Sequence, residues 1–91
     1  MNKEQLIEQI EILAKQLESE GTMRHDNLEL TYGRMNGHNG WNVHYGYLYR
    51  AYADEMEVAL ELLKEQLRVA TQELLRQTEL KLIKLRELNK L

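Results

Sequence analysis

The chain has no cysteine, no proline and no phenylalanine. Without cysteine there can be no disulfide and no thiolate metal site. Without proline nothing of that kind interrupts a helix. Without phenylalanine, and with charged residues at 30% of the composition, long solvated helices fit better than a thick globular core. No apolar run approaches the roughly 20 residues of a membrane span. The opening Met-Asn-Lys-Glu-Gln-Leu lacks the apolar centre of a signal peptide, so a cytoplasmic protein is expected. Charge of one sign is also missing. Residues 1–20 carry −3, residues 21–53 carry +1 and residues 54–91 carry −1, giving −3 in all. A chain that is weakly acidic offers no general basic face to duplex nucleic acid.

What is present is mostly Leu, Glu, Lys and Gln. In 91 residues the length suits one small domain, and chains of this size often complete a modest core by oligomerising. Leu6, Ile10, Leu13 and Leu17 are spaced 4, 3, 4, which is one apolar stripe of an amphipathic helix over about residues 3–20. Asn2 is suited to cap its start, and Gly21 to stop it. Met56, Leu60, Leu63, Leu67, Ala70 and Leu74 repeat at 4, 3, 4, 3, 4, the seam of a coiled coil. Beyond Leu74 the seam drifts through Thr78, Leu82 and Leu85. Leu62, Val69, Leu75, Leu80 and Ile83 flank it and widen the apolar surface. Residues 54–65 hold five acids and one Lys, while residues 76–91 hold five bases and two Glu, as one continuous helix dipole favours.

Between these segments the sequence satisfies two periods at once. Leu28 to Tyr32 alternates, and so do Val43, Tyr45, Tyr47 and Tyr49, with a Gly/Asn-rich stretch from Gly33 to Gly40 between them. This is a hairpin pattern. Trp41, Tyr45, Leu48, Tyr49 and Tyr52 equally fall on one helical face that runs into Met56. Because an isolated two-stranded hairpin is marginal, the helical alternative is preferred. The expected fold is therefore all-α: a short N-terminal helix, a loop and aromatic segment over about 21–41, and a helix over about 42–90. One helix of that length and one short one cannot enclose each other, so a homo-oligomeric helical bundle is expected. Its interface would use Leu60, Leu63, Leu67, Ala70, Leu74, Leu82 and Leu85. Gly46, placed inside the long helix, would cost about 1 kcal/mol there.

Chemistry is sparse. His25, His38 and His44 lie within twenty residues, with Asp26 and Glu29 nearby, but no tight His-x3-His pair or HExxH fixes two imidazoles on one turn. Ser19 is the only serine and sits at a charged helix end, and the threonines at 22, 31, 71 and 78 have no evident base beside them. No phosphate loop or paired carboxylates stand out. Neither catalytic residues, a metal site nor a cofactor is expected.

The remaining signal is a change of vocabulary. Residues 33–52 hold four of the five glycines, four of the five tyrosines and the only Trp. Packing alone is served by Leu elsewhere, whereas this stretch uses rings with polar handles. Tyr, Trp, Arg and Asn are also binding hot-spot residues. Asn36 and Asn39 add polar edges to the loop. The candidate ligand-binding set is Arg34, His38, Trp41, Asn42, His44, Tyr45, Tyr49 and Arg50. Rings would stack and arginines would hold negative charge. Three functions follow as expectations. The first is an oligomeric protein that binds or sequesters an anionic or nucleotide-like ligand without converting it. The second is a protein-binding inhibitor or adaptor that uses the aromatic segment as its hot spot. The third is a purely structural assembly.

Overall fold

The computed structural model describes residues 2–21, 26–35 and 37–91. Helix α1 spans Lys3–Ser19, strands β1, β2 and β3 span Leu28–Met35, His38–Tyr45 and Tyr49–Ala53, and helix α2 spans Met56–Asn89. The strands form one antiparallel sheet in the order β1-β2-β3. The chain is thus α+β. The expected all-α helical bundle is overturned by the sheet, and the long helix begins at Met56 instead of near residue 42.

The helical alternative fails for a nonlocal reason. A two-stranded hairpin is marginal alone, but here a third strand joins it and the helices cover one face. Register aligns Leu28, Tyr45 and Tyr49 in one row, Leu30, Val43 and Ala51 in the next, and Tyr32, Trp41 and Ala53 in a third. These residues share one pleat parity, and all but Tyr32 belong to or pack against the core built with the helices. Gly46 sits in the β2–β3 turn at φ +67°, not inside a helix, and Gly37 follows β1 at φ +86°. Both conformations favour glycine because it has no Cβ.

The helices follow their apolar spacing. Asn2 accepts the amide N–H of Gln5 at 2.9 Å while the Gln5 side chain accepts the N–H of Asn2 at 3.2 Å, a reciprocal cap on α1. Leu6, Ile10, Ala14 and Leu17 are buried. On α2 the buried residues are Ala59, Leu60, Leu63 and Leu67. Leu60, Leu63 and Leu67, expected at an oligomer interface, are therefore enclosed within a single chain. Ala70 and Leu74 are half-buried against the same core. Leu82 and Leu85 lie beyond it, and every residue from 75 to 91 is exposed. The molecule measures 61 × 26 × 19 Å, elongated as a helix of 34 residues, about 51 Å, requires.

The two sheet edges differ. At β3 the Gln66 side chain mimics a neighbouring strand. Its amide nitrogen donates to the carbonyl of Arg50 at 2.6 Å and its oxygen accepts the N–H of Arg50 at 3.2 Å. This satisfies backbone groups that an edge strand otherwise presents to other chains. At β1 the open edge carries Glu29 and Arg34, charges that discourage such pairing.

Candidate functional site

Pleating divides the candidate residues between two faces. On the helix side lie Trp41, Tyr45 and Tyr49. Tyr45 is buried, and Trp41 and Tyr49 are half-buried against the core. The Trp41 ring meets that of Tyr32 with centroids 5.2 Å apart and planes tilted by 56°. Tyr49 lines a small cleft of about 200 Å³ with Leu17, Ala70, Glu73, Leu74 and Gln77. That volume is below the roughly 300–1,000 Å³ of a typical ligand pocket. Arg34 is exposed on β1.

Tyr45 is an anchor of the fold. Its hydroxyl donates to Glu18 at the end of α1, and Glu18 also accepts the N–H of Asp26 at 3.3 Å. Burial raises the phenol well above its ordinary value of 10, and the Glu18 hydrogen bond and the charges of Glu18 and Asp26 raise it further. The folded state therefore keeps this proton to higher pH than the unfolded chain does. The stabilisation is complete below about pH 10 and is lost as pH rises beyond it. We expect one of the five tyrosines to stay protonated in an absorbance titration until the chain unfolds, and Tyr45→Phe to remove that lagging component. The variant should also lose about 1.5–3 kcal/mol at neutral pH, the range for a hydrogen bond to a charged group. Full ionisation of all five tyrosines in a still-folded protein would contradict this assignment.

Among the described residues no helix covers the other face of the sheet. Two rows cross it: Glu29, His44 and Arg50, then Thr31, Asn42 and Tyr52. The His44 Nε2 lies 3.1 Å from a Glu29 carboxylate oxygen. Its Nδ1 is buried with no hydrogen-bond partner among the described residues, an unfilled acceptor if the ring is neutral. Among the described residues the guanidinium of Arg50 has no carboxylate partner. Tyr52 reaches across Gly40, and its hydroxyl donates to the carbonyl of His38 at 2.9 Å.

Asn42, His44 and Arg50 are thus brought together. His38 shares their parity but lies six residues from His44 along the strand, about 20 Å away. The two imidazoles do not converge. His25 and Asn36 lie outside the described residues. Among the described residues no group of three or more His, Asp or Glu is placed to hold a metal ion.

Sequence reasoning left Glu29, Thr31, Tyr47 and Tyr52 out of the site. Strand parity was the signal that selects Glu29, Thr31 and Tyr52. Tyr47 and Leu48 stand at the tip of the β2–β3 turn, 93% and 74% exposed, beside the Glu29–His44–Arg50 row. Helical periodicity had placed Leu48 in the core. An exposed aromatic and an exposed leucine next to an arginine form an amphipathic patch continuous with the polar sheet face.

Compared with family models, with curated proteins and with solved structures, the chain matches none.

Proposed function

We propose that this protein is a small, non-catalytic recognition protein of the cytoplasm that binds a protein partner, acting as an inhibitor or adaptor. The partner would lie on the uncovered sheet face and the neighbouring turn. One observation carries the proposal: Tyr47 and Leu48 are held out in solvent in the turn that leads directly into β3 and Arg50. Tyr and Arg are enriched among residues that dominate protein interfaces, and an aromatic anchor needs little entropy to immobilise. A pleated surface with a projecting turn favours a broad partner over a small molecule that must be surrounded. No helix among the described residues is long and apolar enough to cross a membrane.

Sequestration of an anionic, nucleotide-like ligand is the second proposal, supported by the Arg50 guanidinium, which has no carboxylate partner among the described residues. The division of the candidate residues between two faces weighs against it, because Trp41, Tyr45 and Tyr49 lie on the helix side while Arg50 lies on the other.

Quantitative capture from a host extract with wild-type protein, Tyr47→Ser and Arg50→Glu separates the two. Both variants should keep the wild-type melting temperature and lose the same captured protein. If both retain it, the sheet face and turn are not the docking surface. A nucleotide that raises the wild-type melting temperature, with the shift abolished by Arg50→Ala, would favour the second proposal instead.

A further inference from the structure

The outer side of α2 carries a second apolar stripe that the fold leaves uncovered. Val58, Leu62, Val69, Leu80 and Ile83 are each roughly half-exposed, and the exposed Glu65, Arg76 and Glu87 interrupt them on the same side of the helix. At 100° per residue they fall on one side of the helix, opposite Leu60, Leu63 and Leu67, which face the core. Substitution on this side leaves the core around Leu60, Leu63 and Leu67 intact.

Charge selects the occupant. Along one flank of the stripe Glu61 and Arg68 lie seven residues apart, and Glu79 and Arg86 continue the flank toward the C-terminus. The first half of the helix is acidic and the second half basic. Two copies laid side by side in the same direction would set acid against acid. Reversing one copy about the middle of the helix, near residue 73, sets opposite charges together along the flank; the two Glu73 carboxylates that then come near the axis are each already paired with Arg76 of their own helix. Glu61 then faces the partner's Arg86, and Arg68 faces the partner's Glu79. The same reversal sets Leu62 against the partner's Ile83. Arg68 now pairs with Glu65 within its own helix, an exposed contact that is weak and easily exchanged.

We infer that two copies of this chain pair through the outer face of α2, antiparallel about a two-fold axis near residue 73. Each exposed C-terminal segment, residues 75–91, then lies along the acidic first half of the other helix. The pairing buries the stripe by isologous contact, so that each favourable charge pair occurs twice. It leaves the sheet face and the Tyr47 turn of both copies open, and is therefore independent of the partner proposed above.

Light scattering at micromolar to hundred-micromolar concentration tests the stoichiometry. The wild type should have twice the mass of one chain, and Leu62→Glu should be a monomer with an unchanged melting temperature at low concentration. Glu61→Arg should weaken pairing roughly tenfold or more, because two attractions become two repulsions. Glu61→Arg combined with Arg86→Glu should restore it. Orientation is read by cross-linking, which the absence of native cysteine makes unambiguous. In an antiparallel pair, Leu62→Cys mixed with Ile83→Cys should form a mixed disulfide. Leu62→Cys alone should not, its two sulfurs lying about 30 Å apart. A wild-type monomer across the whole range would overturn the inference and leave the stripe to a different protein. Efficient cross-linking of Leu62→Cys to itself would overturn the antiparallel arrangement.

Discussion

Leu63→Ala should lower the melting temperature by roughly 10–30 °C, to the same extent at every protein concentration. Leu63 has no exposed surface and belongs to a single cluster with Ile10, Ala14, Val43 and Leu67. Truncation removes buried methyl groups and leaves a void that α1 and the sheet can only partly close. Such Leu→Ala changes cost about 2–5 kcal/mol, and a small domain has only about 5–15 kcal/mol in total. The concentration dependence distinguishes two roles for the same residue. Were Leu63 an intermolecular contact, its truncation would change the oligomeric mass, and the loss of melting temperature would fade as protein concentration increased. As a core residue it lowers stability while leaving pairing through the opposite helix face intact. Calorimetry over a tenfold or wider range of concentration, with light scattering on the same samples, decides between them. A melting temperature within a degree of wild type at low concentration would remove Leu63 from the core.

The two helices were legible because a single period explains them. Leu6, Ile10 and Leu17 on α1, and Leu60, Leu63 and Leu67 on α2, are where a 3.6-residue repeat predicts burial. What the repeat cannot show is which surface covers it. The same seam suits a neighbouring molecule or the sheet and helix of its own chain, and only tertiary packing chooses. The strands were harder. Trp41, Tyr45 and Tyr49 lie four residues apart, an interval that keeps a residue on one face of a helix and on one face of a strand alike. Leu48 and Tyr52 separate the alternatives, since a helix would bring them to the core while the pleat sends Tyr52 to the other face and the turn sends Leu48 into solvent. A local signal was available in Asn36-Gly37, a dipeptide strongly favoured in two-residue hairpin turns, but it was merged into a longer Gly/Asn-rich loop. The site inherited this ambiguity. The eight candidates, expected along a loop and the first turns of a helix, divide on the sheet: Trp41, Tyr45 and Tyr49 are taken up by packing, and Asn42, His44 and Arg50 face away from the helices.

Gly40→Ala should be the most damaging single-methyl change in the sheet. A Cβ built at residue 40 would lie 2.7 Å from the Tyr52 hydroxyl, 2.8 Å from the Tyr52 ring carbon that carries it and 2.9 Å from the carbonyl oxygen of Ala53. Two of these contacts are with a side chain that can swing away. The third is with the backbone of β3, which is fixed in register by β2 and by the Gln66 amide at Arg50. Relief therefore requires movement of the strand as well as of the ring, and overpacking of this kind typically costs about 1–3 kcal/mol. Removing the ring separates the two parts. If the side-chain clash dominated, Tyr52→Ala combined with Gly40→Ala would be no less stable than Tyr52→Ala alone. The backbone contact predicts that a deficit persists in the double variant, measurable by denaturant unfolding with the slope held constant. Gly40→Ala should also displace the Tyr52 hydroxyl from the His38 carbonyl and so deform the uncovered sheet face proposed for partner binding. Binding should then fall by more than stability alone explains, when measured where both proteins are fully folded. If Gly40→Ala is as stable as wild type and binds as well, Tyr52 does not rest on Gly40 and this surface has a different shape.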